Sequence, residues 1–275
     1  MPRLLIPAAA LSFAVLLLSS CGGASERQES GGRAYYISLE GDDSGPGTSP
    51  EKPWRTIQRI NEQHFGPGDS ILFRGGDTFP GTLNLSSEDS GEPQARLTVS
   101  SYAEGKALID GTEREGLKAD SCAGLTIEHL EFRGSGRNSG NSSDGMLITQ
   151  CDGVVIDDIE VHGFQHSGVH IHRCNDAALT HVYAHGNGFA GIHVTGNTSG
   201  DPGRYDNQNL YIAYCVAENN PGDPTVLTIT AGTGSWLHRF MAGPLNTAKP
   251  STTDGICPGP GTVLWGYGSG IARNS

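Results

Sequence analysis

The chain has 275 residues, of which 40 are glycine and 15 are proline, while 36% are apolar and 17% are charged. So few apolar side chains exclude a thick, multi-layered core, and so few charges exclude a chain kept open by solvation. A formal net charge of −12 excludes nucleic acid as a partner, because no basic stretch is present to release counterions. The composition predicts an ordered, turn-rich and repetitive fold.

The first 20 residues are predicted to be a secretory signal peptide, since a basic residue precedes an apolar run over residues 4–18. This run is too short to span a bilayer and fits the core of a signal peptide. It ends in LSSC, which resembles a bacterial lipobox whose Cys21 is lipidated and becomes the first mature residue. Residues 21–33 then form a polar tether. We expect an exported cell-envelope lipoprotein, periplasmic or on the cell surface, that its lipid holds to the membrane. An ordinary signal peptide with an incidental cysteine is the alternative.

Glycines 23 residues apart, Gly145, Gly168 and Gly191, mark an internal repeat, and an earlier unit begins at Gly116. Within each unit apolar residues recur with a period of two, which is typical of strands. The phase of this alternation slips once, which requires a tight corner, so each turn of chain is predicted to hold three short strands. Stacked units of this kind match an all-β fold, a right-handed parallel β-helix with one coil of about 23 residues per turn. A leucine-rich repeat, the competing solenoid, lacks its Leu and Asn spacing here.

Alignment of the units predicts which residues point inward. The predicted inward columns are Leu117, Met146, Val169 and Ile192; Ala119, Ile148, Ile171 and Val194; Cys122, Cys151 and Cys174; Ile127, Ile156 and Leu179; Leu130, Ile159 and Val182; Phe132, Val161 and Ala184. In the cysteine column we expect free, packed thiols. Disulfides are the alternative that export allows, and zinc is disfavoured because no CxxC pair is present.

The segments around and ahead of the first unit carry a family resemblance. AYYISLEGDDSGPGTSPEKPWRTIQRIN, FGPGDSILFRGGDTFPGTLNLS, ALIDGT and GLTIEHLEFRG are similar to the start of right-handed β-helix proteins of the pectate-lyase-like superfamily, in the style of chondroitinase-B-like and pectate-lyase-like surface proteins. The resemblance covers residues 34–224, within a coil that we place at residues 34–228. It implies an amphipathic N-terminal helix over residues 53–64 that caps the coil, as exposed core and strand edges also require.

The resemblance implies action on an extracellular polysaccharide, as a lyase or a glycosidase. We expect a monomer. A lyase needs a base for the proton beside a uronate carboxylate and a cation for the resulting charge, and lyase relatives use a Lys or Arg base and often Ca²⁺ held by acidic residues. A glycosidase needs two spaced carboxylates. Adjacent Asp157 and Asp158 are interpreted as turn residues, as are Asp110 and Asp144, which each precede a glycine. A non-catalytic surface module for glycan binding or adhesion, or an inactive truncated product, is the alternative.

Outward side chains of the predicted strands are the candidate site residues, because variable loops flank the first strand and form a groove with it. The candidates for catalysis are Lys118, Arg133, His170, His172 and His193. The candidates for lining the groove are Asp120, Thr149, His162, His185, Thr195 and Arg204.

Three interpretations of the histidines on the first strand stay open. They form an exposed polar ladder without function, or part of a carbohydrate groove, or a metal site made of His170, His172 and His193, for which imidazole suits zinc or copper.

The final segment, residues 229–275, shows no rung of the repeat. Synonymous codons exist for this segment that, read in a shifted frame, encode apolar residues at the inward spacing of the earlier units. We therefore predict that this segment is out of frame and that the parent protein continues with further rungs. A natural C-terminal cap or loop is the alternative.

Overall fold

A computed structural model of the chain describes residues 31–138, 142–196, 207–220 and 227–230, the last of these as backbone. One short helix, α1 (Ile57–Ile60), and a series of strands make up these ranges. The strands are β1 (Ala34–Ile37), β2 (Ser70–Arg74), β3 (Thr78–Pro80), β4 (Leu83–Leu85), β5 (Leu97–Tyr102), β6 (Ala107–Thr112), β7 (Leu117–Asp120), β8 (Ala123–Gly134), β9 (Met146–Thr149), β10 (Asp152–His162), β11 (Val169–His172), β12 (Ala178–His185), β13 (Ile192–Thr195), β14 (Tyr211–Ala213), β15 (Val216–Glu218) and β16 (Leu227–Thr230).

Parallel pairing between successive turns of chain builds the fold. The first sheet holds β4, β7, β9, β11, β13 and β16 as neighbours in that order. The second sheet holds β1, β2, β5, β8, β10, β12 and β14, with β3, β6 and β15 paired alongside. Since neighbours in each sheet come from consecutive turns, the chain winds as a coil. The predicted all-β, parallel β-helix is confirmed.

The strand register confirms the repeat. Met146 lies beside Val169, and Val169 lies beside Ile192, so equivalent residues of β9, β11 and β13 are 23 positions apart. The glycine before each of these strands is required by close packing of the turns. A Cβ atom on Gly145 would lie 2.6 Å from the carbonyl oxygen of Gly168, a distance that a real side chain does not tolerate.

The predicted corner is also present. His129, Asp158 and His181 occupy equivalent places in β8, β10 and β12, and their φ angles are 52°, 50° and 50°. This left-handed conformation turns the strand and shifts its alternation by one residue. Asp158 is therefore a corner residue, as interpreted from the sequence.

The interior follows the predicted columns. Every residue assigned to them is buried, with at most 2% of its surface exposed. Cys122, Cys151 and Cys174 are free and buried, as expected, and the thiol of Cys151 donates to the carbonyl of Thr149 at 3.3 Å. The core is thus one narrow stack of ladders along the coil.

The N-terminal cap is shorter than predicted. Trp54, Ile57 and Ile60 are buried at the end of the coil as expected, but the helix covers only Ile57–Ile60 instead of residues 53–64. The side chain of Thr56 accepts from the backbone N–H of Arg59 and caps the start. The helix stops at Asn61, whose amide donates to Thr82 and accepts from Asn84. These bonds to the strand segment hold the chain where a longer helix would continue.

The predicted boundary at residue 228 falls inside β16, which pairs with β13 from Ile192 beside Leu227 to Thr195 beside Thr230. Residues 231–275 and residues 1–30, with the lipidation candidate Cys21, lie outside the described residues. Within the described ranges, no helix has the length and apolar character needed to cross a membrane.

Candidate functional site

The outward face of the first sheet carries a cluster of imidazoles around one carboxylate. Strand alternation buries Val169 and Ile171 of β11 and turns His170 and His172 outward. His193 and Thr195 lie beside them on β13. The loops ahead of β9 and β11 add Asp144 and His166. We call Asp144, His166, His170, His193 and Thr195 the histidine cluster.

Asp144 lies at the centre of the cluster and is buried. Its Oδ1 lies 2.5 Å from Nδ1 of His166 and accepts from the backbone N–H of Ser167 at 2.9 Å, while its Oδ2 lies 2.8 Å from Nδ1 of His170. Burial opposes ionisation of this carboxyl, but the hydrogen bonds from the two histidines outweigh it and hold the pKa of Asp144 well below its ordinary value. An ionised carboxylate only accepts hydrogen bonds, so both imidazoles carry their proton on Nδ1.

A chain of hydrogen bonds extends from Asp144 across the face. Nε2 of His170 lies 2.8 Å from the hydroxyl of Thr195, and the same hydroxyl lies 2.7 Å from Nδ1 of His172. The hydroxyl of Thr195 has one proton, so it donates to one of these two rings and accepts from the other. Burial, together with the charge of Arg173, lowers the pKa of His172. The lowered pKa favours the neutral form of His172.

Aromatic packing fixes the remaining rings. The imidazoles of His170 and His193 stack with centroids 4.5 Å apart, and His193 is only 7% exposed. Phe189, from the loop ahead of β13, stacks on His166 with centroids 5.0 Å apart and planes 16° apart. Its ring also meets the edge of His193. The ring of Phe189 therefore bounds the histidine cluster on the side of the loops.

His166 is the member of the cluster most open to solvent, with 40% of its side chain exposed. The hydrogen bond to Asp144 raises the pKa of His166, against the opposite effect of burial. Within the described ranges, the side-chain hydrogen bonds of His166 are made at Nδ1. Its Nε2 is therefore available to a ligand in the groove.

Other predicted residues of this face lie further along the coil. Lys118 is exposed on β7 and lies beside Leu147, which lies beside His170. Two strand spacings of about 4.8 Å thus separate Lys118 from the cluster. Asp120, Thr149 and His172 form the neighbouring column.

The predicted residues of the third strand of each turn lie in the second sheet and pair among themselves. Arg133 reaches Asp110 at 2.5 Å. His162 and His185 lie 3.0 Å from Glu131 and Glu160, respectively, and their rings stack with centroids 4.9 Å apart. We call these six residues the paired ladder. The structure does not bring them together with the histidine cluster.

Sequence reasoning missed His166 and the role of Asp144. Both precede a strand, and Asp144 was interpreted as a turn residue because a glycine follows it. The available signal is their position, because both lie in loops that the sequence predicts to flank the groove. Arg204 lies outside the described residues.

Two groups in the described ranges bring metal-ligating atoms within 4.8 Å of one another. They are His166, His170 and His193, and Glu131, Glu160 and His162. Calcium takes six to eight oxygen ligands, so neither group fits the Ca²⁺ that the resemblance implied. The imidazole group fits a transition metal.

No family model matches the chain. It is 28% identical over 138 residues to a lacto-N-biosidase of Bifidobacterium longum subsp. longum. The aligned region is 8% of that protein and 48% of this chain. Its structure is similar to that of a lacto-N-biosidase from Eubacterium ramulus, with a TM-score of 0.59 and 17% identity over 72% of this chain and 43% of the other. An alginate lyase from Paenibacillus sp. gives a TM-score of 0.51 and 18% identity over 69% of this chain and 63% of the other. The chain shares the parallel β-helix fold of these enzymes and spans only part of their length.

Proposed function

We propose that this chain is an exported enzyme that degrades a polysaccharide by β-elimination in the groove over the first sheet. The observation that carries the proposal is the buried carboxylate of Asp144, which bonds to Nδ1 of His166 and orients a ring that is 40% exposed. The name of the alginate lyase with the same fold supports the class of reaction.

The cluster suits proton transfer from carbon. A lyase removes the proton beside a uronate carboxylate, and an imidazole with a titration range near neutrality is an effective base for this step. His166 accepts the proton at Nε2, and Asp144 stabilises the imidazolium that forms. The electron pair of the C–H bond becomes the new C=C bond as the bond to the leaving oxygen breaks, and that oxygen takes up a proton from the imidazolium or from water. Asp144 itself already accepts three hydrogen bonds, which leaves it poorly placed to attack a sugar as a nucleophile.

A glycosidase is the second candidate, and a separate observation favours it. Carboxylate oxygens of Glu131 and Glu160, in the paired ladder, lie within 4.8 Å of each other. Retaining glycosidases hold their two carboxyl groups about 5–5.5 Å apart. The likeness to two lacto-N-biosidases gives this candidate its support.

The two candidates are separated by a product assay on a panel of uronate-containing and neutral glycans. We expect ultraviolet absorbance from unsaturated uronate products, and a loss of about 10²-fold or more in kcat/KM for His166→Gln. His64→Gln is the matched control, since His64 lies exposed near the cap and contacts Glu88. Release of reducing ends without that absorbance, abolished by Glu160→Gln, would instead identify the glycosidase. Glycan binding without any product would identify a binding module.

Export and lipid anchoring belong to the same proposal. A lipid on Cys21 would hold the coil at the cell envelope, where polymeric glycans are accessible, and we expect the protein there as a monomer. Incorporation of labelled fatty acid into the wild-type chain, and its loss in Cys21→Ser, tests the anchor. Recovery of the wild-type protein in soluble, unlabelled form, as for Cys21→Ser, would contradict the lipid anchor.

A further inference from the structure

We infer that the histidine cluster is a binding site for one divalent transition-metal ion, held by His166, His170 and His193. The inference concerns the same groove as the proposed function and rests on that function only for its effect on activity. It differs from the set predicted from the sequence, because His166 replaces His172.

The donor atoms are already close together. One ring nitrogen from each of the three imidazoles lies within 4.8 Å of those of the other two. Zinc binds imidazole at about 2.0–2.1 Å, which brings tetrahedral donors to about 3.3 Å from one another. Closing this difference requires His166, which is more exposed than His170, to move toward the other two rings. His170 and His193 sit on adjacent rungs of a rigid sheet and stay in place.

Asp144 supplies the orientation that such sites need. Imidazoles that bind metal donate their other N–H to a carboxylate or carbonyl, which fixes the tautomer and raises the basicity of the ligating nitrogen. Here one carboxylate holds Nδ1 of both His166 and His170, at 2.5 Å and 2.8 Å. The lone pairs on both Nε2 atoms are thereby the ones left for an ion. Thr195, now bonded to Nε2 of His170, would be released by the ion and retain His172.

The chemistry of the donors selects the ion. Three neutral imidazoles suit Zn²⁺, Co²⁺, Ni²⁺ or Cu²⁺, whereas Mg²⁺ and Ca²⁺ require oxygen ligands. The negative charge of Asp144 offsets part of the charge of the ion in a partly buried place. Coordination takes the lone pair of His166 that the proposed elimination uses, so an occupied site stops that reaction.

Metal binding is tested on the full chain after treatment with a chelator. Titration with Co²⁺ and Zn²⁺ is followed by calorimetry and by the visible absorption of bound cobalt, and we expect one ion per chain. His166→Gln should weaken binding by more than about 100-fold, and Asp144→Asn by about 10–100-fold, the usual effect of removing an orienting partner. His64→Gln should bind as the wild type does. His166→Gln replaces a half-exposed side chain, so it should fold, and its melting temperature is measured in parallel.

The outcomes separate this inference from the proposed function. Absence of binding, or equal binding by wild type and His166→Gln, overturns the metal site and leaves the elimination assay as it stands. Binding of one ion with no degradation of any glycan by the chelated protein supports the site and contradicts the function. If the metal site and the proposed elimination are both confirmed, Zn²⁺ should abolish activity and a chelator should restore it. Activity that rises with Zn²⁺ would overturn the assignment of His166 as the base.

Discussion

The backbone N–H of Asn187 donates to the side-chain oxygen of Asn220 on the next turn of the coil, at 2.9 Å. Asn187 is fully buried, and its own side chain accepts from the N–H of Phe164 and donates to the carbonyl of Val161. One buried amide therefore satisfies backbone groups of the preceding turn, just beside the loop that carries His166.

Replacing this amide should destabilise the coil. In Asn187→Ala the N–H of Phe164 and the carbonyl of Val161 lose a buried partner, which we expect to lower the free energy of unfolding by about 1–3 kcal/mol. Urea denaturation measures the change. Asn84→Ala is the control, because Asn84 is exposed and should change stability by less than about 0.5 kcal/mol. Equal effects of the two variants would show that the buried amide has no special role.

A methyl group on the glycine before β9 should be poorly tolerated. The side chain of Gly145→Ala would meet the carbonyl of Gly168 at 2.6 Å, so neighbouring turns must separate, at a cost of about 1–3 kcal/mol. Gly66 has open space around the place of a Cβ atom, and Gly66→Ala should be neutral or stabilising by about 0.4–1 kcal/mol. Thermal unfolding of both variants checks the contrast; a neutral Gly145→Ala would contradict the packing described for the turns.

The cap should lose stability in acid through Asp43. This carboxylate accepts from the backbone N–H of Arg55 and from the backbone and hydroxyl of Thr56. Burial raises the pKa of Asp43, but these hydrogen bonds outweigh it and lower the pKa overall. The bond from the Thr56 hydroxyl has the largest effect among them. Because the folded pKa lies below the unfolded value of about 3.9, the stabilisation is complete above the unfolded pKa and is lost as the pH falls through the folded pKa.

We therefore expect Asp43→Asn to lower the melting temperature at neutral pH and to flatten its decline in acid. Melting curves of wild type and variant from neutral pH down to the acid limb measure this. Glu51→Gln, at an exposed position nearby, serves as the control and should leave the wild-type profile unchanged. Parallel acid limbs for wild type and Asp43→Asn would contradict the assignment.

Removal of the Phe189 ring should affect the reaction more than the fold. The ring is only partly buried and stacks on His166, so Phe189→Ala should release the imidazole from its orientation and reduce kcat by about 10-fold. Phe189→Tyr keeps the stack and should restore most of kcat. If Phe189→Ala raises KM alone, the ring binds substrate and does not position His166.

The sequence alone predicted the coil because its evidence is periodic. The spacing of Gly145, Gly168 and Gly191 and the inward columns depend on backbone repetition, which short-range sequence patterns record directly. The shift in the apolar alternation near His129 predicts the corner for the same reason, because it is also a local sequence pattern. The helix was predicted too long because the amide of Asn61 bonds to residues more than twenty positions away, which no local pattern records.

The site was predicted only where it followed the same periodicity. His170 and His193 were found because they occupy strand positions, and their adjacency follows from the repeat. His166 and Asp144 lie in loops of different length, where position along the chain does not fix direction in space. Their meeting depends on how two loops fold over the sheet, so the carboxylate that organises the imidazoles could not be identified.

The paired ladder has a consequence for how the coil tolerates change. His162 and His185 each contact a carboxylate on the preceding turn, so that face joins β8, β10 and β12 to one another. The loops ahead of the first sheet are joined to one another by hydrogen bonds of their own, such as that from the N–H of Phe189 to the carbonyl of His166. Loop side chains outside these bonds are able to change while the paired ladder keeps the turns in register. Substrate preference in this architecture is able to diverge one loop at a time without refolding the scaffold.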